Sequence, residues 1–391
     1  MGIYSEYINR RLSFDQISSE RKNQLKRISK IRQRDIIVYA GDSSKGNAPI
    51  SILPPDLLPF KDQLTYIKTN EVDIILESPG GIAETVEDMV ELIRSKHERL
   101  GVIIPGMAKS AGTIFSMAGD EILMGDASAL GPIDAQVVSN GKRFSADAFL
   151  DGLEKIKLEV IDTGKLNPAY IPILQSISPG EIQHFENAQN FSKTLVRNWL
   201  SIYKFKYWET HTTSGKPVTA KEKEIRADEI ANKLCKHSDW LTHGRSIRIK
   251  DLDAMGLKIK DYSKETDLCD AIDRYYTLLR MAFDLTGIYK IFETCYSQIY
   301  QSISQAAIPA IPTLPLQNKI KPKVAHANFV CPKCTTQSNI QLNLEKNVNI
   351  AAGSLPYPKN DIFVCPNCAT QTNISPMRLQ FEAQTGLKVI F

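Results

Sequence analysis

Long apolar runs are missing from this 391-residue chain, and histidine is scarce, with six residues and none between His97 and His184. No stretch approaches the roughly 20 apolar residues that cross a bilayer, so no transmembrane helix is expected. Met1-Gly-Ile-Tyr-Ser5 leads into no apolar core, so no secretory signal is expected either, and the expected location is the cytoplasm. A net charge of +4 is too small to argue for a nucleic-acid partner. The first 34 residues are locally basic (Arg10, Arg11, Arg21, Lys22, Lys26, Arg27, Lys30, Arg32, Arg34). That run reads first as a solvated helix face, with an acidic partner or an anionic membrane surface as the alternative. Cysteine is sparse as well, and Cys235, Cys269 and Cys295 lie far apart and are assigned no role.

Two glycine-bearing turns stand out, Glu77-Ser-Pro-Gly-Gly81 and Met107-Ala-Lys-Ser-Ala-Gly-Thr113. Each follows a short apolar run, Val72–Leu76 and Gly101–Ile104, of the kind a buried parallel sheet uses. Between them Ile82, Val86, Met89, Val90 and Ile93 recur at helical spacing up to His97, which completes a βαβ unit. Open α/β sheets bind ligands beyond the carboxyl ends of their strands, where both turns fall. Gly80 and Gly81 free backbone N–H groups to face a carbonyl, and Ser110 would open a helix over residues 111–118. A Gly-Gly turn alone is more often a loop, and a serine at a helix start is usually an N-cap. The pairing of the two turns favours a nucleophile beside an oxyanion site.

Ser-Pro-Gly-Gly, Ala-Lys-Ser-Ala-Gly-Thr, Asp120-Glu-Ile-Leu123 and Leu130-Gly-Pro-Ile-Asp134 together resemble the Clp-fold serine peptidases. Within these the chain is most similar to the signal-peptide-peptidase-like branch called the serine dehydrogenase proteinase family. Trp240-Leu-Thr-His-Gly-Arg-Ser-Ile247 running into Asp251-Leu-Asp-Ala-Met-Gly-Leu257 is similar to a late strand and helix near the active site of that superfamily. The resemblance implies an α/β fold, a crotonase/Clp-like spiral of βαβ units, and peptide-bond hydrolysis. It places Ser110 as nucleophile, with the N–H of Ala111 and that of Gly80 or Gly81 as the oxyanion hole.

The general base departs from the Clp pattern. Ile133 or Asp134 occupies the position where Clp peptidases keep a histidine. Two candidates stay open: Lys165, in a stretch similar to the lysine region of signal-peptide peptidases, and His243, near where the superfamily keeps its triad acid. A histidine titrates near neutrality, whereas a lysine must be desolvated to act as a base. His243 is preferred on that ground, with Asp134 as the carboxylate that orients it. Lys109 adjoins Ser110 and is expected to point away from it.

At the other end, Cys331-Pro-Lys-Cys334 and Cys365-Pro-Asn-Cys368 form two matching knuckles. Four thiolates suit tetrahedral Zn2+ and leave no open coordination position, so a structural zinc ribbon is expected, with strands such as 339–344 and 362–364. Such a ribbon serves substrate, partner protein or nucleic acid.

The organisation read from the chain is a basic helical segment over 1–34, a Clp-fold peptidase domain over 35–261 and a helical extension over 262–303. A proline-rich linker over 304–328 and a zinc ribbon over 329–391 follow. Further helices are expected over 56–69, 147–160, 180–204 and 220–237, and residues 208–219 read as a mobile segment near the substrate. The function expected is a serine endopeptidase acting on a peptide or protein substrate, and the Clp resemblance implies a homo-oligomer. A non-catalytic adaptor of the same fold and a crotonase-like acyl-CoA enzyme are the alternatives.

Overall fold

The computed structural model describes residues 2–139, 142–211, 214–303 and 322–391. The chain divides into two compact units, Lys22–Asp273 with Lys290–Tyr300, and Met1–Arg21 with Arg274–Tyr289 and Gln301–Phe391.

A seven-stranded sheet contains β1 (Asp35–Gly41), β2 (Glu71–Glu77), β3 (Arg99–Ile104), β4 (Glu121–Met124), β5 (Lys260–Asp261), β6 (Ile288–Thr294) and β7 (Gln298–Ser302), in the order β7-β6-β1-β2-β3-β4-β5. Strands β1 to β5 run parallel, and β6 runs antiparallel to β1. Val72, Ile74, Leu76, Leu100, Val102 and Ile104 are fully buried, which is why these strands read as continuous apolar runs. The helix Ala83–Arg94 joins β2 to β3 and buries Val86, Met89, Val90 and Ile93, the face its spacing predicts. Ile82 is its N-cap and stays exposed. Both expected turns leave the carboxyl ends of their strands, and the expected α/β arrangement with parallel central strands is present. Among the described residues no helix is long and apolar enough to cross a membrane.

At the opposite, amino end of the sheet lies an ionic cluster. Arg34 reaches Glu71 at 2.8 Å, Asp73 at 3.0 Å and Glu121 at 2.8 Å, while Arg32 reaches Asp73 at 2.6 Å and Glu121 at 2.9 Å. A Cβ on Gly101 would sit 2.2 Å from Asp73 Oδ1, so the missing side chain on β3 makes room for the carboxylate. The solvated face expected of the basic segment therefore fails at Arg32 and Arg34, whose side chains are only 7% exposed. Their partners sit on strands far along the chain, out of reach of a local reading.

The helical extension expected over 262–303 is also corrected. The helix Thr266–Asp284 ends before Gly287, and Ile288–Thr294 and Gln298–Ser302 are edge strands of the sheet. Ile288 and Ile291 fit a helical period over a short window, but the Thr286-Gly287 break and the run Ile-Phe-Glu-Thr294 favour a strand. Residues 208–219, expected to be mobile, carry a bridge between Thr210 and Pro217. Of the proline-rich linker, 304–321 lies outside the described residues, and the C-terminal module already begins with the strand Val324–Val330.

That module is built on two hairpins. Val324–Val330 pairs antiparallel with Gln337–Asn343, and Ile362–Val364 with Gln371–Asn373. Ile340, Leu342, Tyr357, Phe363 and Val389 make its small core.

Candidate active site and metal centre

The two turns are laced together by backbone hydrogen bonds, Ser78 N to Met107 O at 2.8 Å and Lys109 N to Ser78 O at 2.9 Å. Ser110 follows with φ 48° and ψ −117°, a left-handed conformation that a non-glycine residue adopts at a cost of order 1–3 kcal/mol. Such strain is typical where a nucleophile is pushed out of a strand-to-helix turn. Gly80, at φ +117°, lies against it, and a Cβ there would meet Ser110 Cβ at 2.8 Å.

The two glycines are not equivalent. Gly80 N–H donates to Ser78 Oγ at 3.1 Å. Gly81 is held by Ile52, which donates to Gly80 O at 2.8 Å and accepts from Ile82 N–H at 2.9 Å. Among the described residues, no group accepts from the N–H of Gly81 or of Ala111. Both residues line a cleft of about 460 Å³ together with Ser110, Asp134 and His184. Ile114, Ile133, Val137 and Phe191 give that cleft an apolar wall. Broader hollows of about 730 and 900 Å³ exist elsewhere and hold no serine nucleophile or histidine.

Thr113 brings the next segment in. Its hydroxyl, which has one proton to share, lies 2.7 Å from Ala108 O and 2.9 Å from Gly131 O and accepts from Gly131 N–H at 2.9 Å. Leu130 and Ile247 then exchange backbone hydrogen bonds at 2.9 and 3.0 Å, which carries the 240–247 segment to the same place. As a result His243 Nδ1 lies 2.7 Å from Asp134 Oδ1, and His237 Nδ1 lies 3.1 Å from Asp134 Oδ2. Asp134 is completely buried. Burial pushes its carboxyl up, but hydrogen bonds from His243, Ser145 and His237 together with the His243 charge outweigh that and hold it below the usual carboxylate range.

Ser110, Gly81, Ala111 and Asp134 are thus gathered at one cleft, with His243 bonded to Asp134. Lys165 is not brought there and sits on an exposed turn after the helix Ala146–Thr163. Sequence reasoning missed His237 and His184. Nothing local marks either one, because His237 meets Asp134 across 103 residues. No described side chain hydrogen-bonds Ser110 Oγ within the single chain.

In the C-terminal module each knuckle forms the tip of a hairpin. Cys331 N donates to Thr336 O and Thr335 N to Cys331 O, and Cys365, Thr370 and Ala369 repeat the pattern. Thr335 and Ala369 both take left-handed φ, 57° and 55°, so the two tips share one backbone course. The sulfurs of Cys331, Cys334, Cys365 and Cys368 all lie within 4.8 Å of one another, a set that could hold a metal ion.

Residues 64–189 match the family model of ClpP-like SDH-type serine proteinases. That match spans both glycine-bearing turns and the strands β2 and β3 that lead into them. Two curated proteins of Methanocaldococcus jannaschii, Uncharacterized protein MJ0137 and Uncharacterized protein MJ1495, are each 26% identical over 171 and 188 residues. These alignments cover 42% and 48% of this chain and 55% and 51% of the relatives, so the chain spans about half the length of the curated proteins it matches. Among solved structures, an alanine mutant of the 1510-N membrane-bound stomatin-specific protease is similar at 15% identity and TM-score 0.31, covering 56% of this chain and 79% of that one. A ClpP1 mutant from Listeria monocytogenes is similar at 11% identity and TM-score 0.30, covering 61% and 98%.

Proposed function

We propose that this chain is a serine endopeptidase. The observation that carries the reading is a strained Ser110 sharing a cleft with two N–H groups that have no acceptor among the described residues and with the carboxylate that holds His243. In this reading His243 is fixed through Nδ1 by Asp134 and takes the Ser110 proton at Nε2. Ser110 Oγ attacks a peptide carbonyl, and the N–H groups of Gly81 and Ala111 stabilise the oxyanion. His243 returns the proton to the leaving amine, and water then clears the acyl-enzyme. Gly80 supports this arrangement from behind, since its own N–H is engaged by Ser78. The apolar wall of the cleft favours a substrate with an apolar side chain beside the scissile bond. A cytoplasmic homo-oligomer remains the proposed working form.

A fluorophosphonate probe tests the nucleophile. Wild type is expected to label at a single serine, and Ser110→Ala to lose that labelling. Labelling that persists in Ser110→Ala would refute the assignment, and a folded but unreactive wild type would favour an adaptor that keeps the fold without the chemistry.

The four cysteines are proposed to hold one structural Zn2+, remote in role from hydrolysis, in a ribbon that binds substrate, a partner protein or nucleic acid. Cys365→Ser is expected to lower bound zinc from one equivalent to a small fraction and to loosen the module, read by metal analysis and hydrogen exchange over 324–391. Unchanged metal content would contradict the site.

A further inference from the structure

We propose that Lys109 is a positioning residue, a clamp that ties the turn carrying Ser110 to the turn carrying His243. The inference rests on the peptidase reading above and adds a residue to it. Lys109 precedes the nucleophile directly, yet its side chain turns away from the cleft. Its Nζ donates to Arg245 O at 2.8 Å, Leu130 O at 3.0 Å and Ser246 Oγ at 3.0 Å, with Gly244 O at 3.5 Å. An ammonium has three N–H donors, and here all three find neutral acceptors. Gly244, Arg245 and Ser246 are the residues immediately after His243, so the clamp grips the base's own loop. Leu130 belongs to the segment that delivers Asp134.

A second observation is independent of the hydrogen bonds. A Cβ on Gly131 would lie 2.7 Å from Lys109 Cδ and 3.4 Å from its Cα, so the lysine stem runs across a position that only glycine leaves open. Burial, and then Arg248, draw the ammonium down to about 8. Among the described residues no carboxylate is a hydrogen-bond partner of it, so the contact is better suited to fixing backbone geometry than to storing ion-pair energy. The 130–134 segment, the 243–246 loop and the nucleophile turn thereby share one fastening point.

The test is the reaction of Lys109→Met with a fluorophosphonate probe, resolved into the rate constant at saturation and the half-saturating concentration. Because displacement of catalytic groups by about 1 Å costs on the order of 100-fold, the rate constant is expected to fall roughly 10- to 100-fold. The half-saturating concentration should stay within a factor of about two. Gly131→Ala, which displaces the stem without removing the charge, should give the same split. In a His243→Ala background the added Lys109→Met change should cost little, because its route of action is already gone. Hydrogen exchange over residues 242–247 should quicken in Lys109→Met whether or not the probe reacts. Wild-type reactivity in Lys109→Met, an equal fractional loss in the His243→Ala background, or unchanged exchange over 242–247 would each overturn the clamp. An unreactive wild type whose exchange does quicken on Lys109→Met would sink the peptidase reading and leave the fastening itself standing.

Discussion

Asp134→Asn is expected to cut fluorophosphonate reactivity about 10,000-fold while leaving the protein folded. The carboxylate is fully buried, and its two oxygens face His243 Nδ1 and His237 Nδ1, with Gln136 Nε2 at 3.1 Å as a third donor. A carboxylate accepts from every one of these groups. His237 and Gln136 both face Oδ2, where Gln136 can only donate, so an amide keeps its oxygen there and turns its N–H₂ toward His243, which forces that imidazole into the other tautomer and removes the base from Nε2. Labelling rate at fixed pH is the measurement, and a fall of less than about 10-fold would show that Asp134 does not orient the base.

The same substitution should alter stability against pH in a defined direction. The Asp134 carboxyl is held below its ordinary value, so its contribution is complete above the unfolded carboxylate pKa of about 3.9 and is lost as pH falls through the lower folded value. Chemical denaturation from about pH 5 downward should therefore show a shallower acid decline in Asp134→Asn than in wild type.

Lys290→Met should be the most destabilising single change in the sheet unit, by about 3–5 kcal/mol. Lys290 on β6 places Nζ 2.7 and 2.6 Å from the two oxygens of Asp56, and both side chains are almost wholly buried, at 2% and 1% exposure. Asp56 also accepts from Tyr39 Oη at 2.8 Å and from Leu53 N–H at 2.9 Å. Removing the ammonium strands a buried carboxylate among groups that cannot neutralise it. Urea denaturation reads the loss, and a second change, Asp56→Asn, should return a large part of it by removing the stranded charge. A loss under about 1 kcal/mol in Lys290→Met would show that the pair is not under this constraint. The pair also reaches the Gly80-Gly81 turn: Asp56 accepts from Leu53 N–H, and Leu53 adjoins Ile52, whose backbone holds Gly80 and Ile82.

The two glycine-bearing turns, the strands beneath them and the cysteine knuckles are legible because each is local chemistry. Glycines, an apolar run and a fixed two-residue gap carry their meaning within ten residues. The arrangement around Asp134 was legible only in part. His243 stands out for the ordinary acid–base behaviour of an imidazole, but its neighbour His237 and the difference between Gly80 and Gly81 depend on hydrogen bonds that only the folded chain reveals. Lys109 is expected to point away from Ser110, and its ammonium reaches Arg245 O, 136 residues onward and beyond any local pattern. The edge strand Ile288–Thr294 was misread for a different reason, since two isoleucines three apart satisfy a helix and a buried strand equally well.

The ionic cluster at the amino end of the sheet has a bearing on how the chain finds its topology. Arg32, Arg34 and Arg99 face Glu71, Asp73 and Glu121, three cations against three anions, with Arg99 reaching Glu71 at 3.6 Å and Glu121 at 3.2 Å. The anions stand on β2 and β4 with Arg99 on β3 between them, so pairing β2 directly with β4 would bring like charges together beside the buried Asp73. Strand order is thus written twice, once in aliphatic side chains and once in an alternation of sign across β2, β3 and β4.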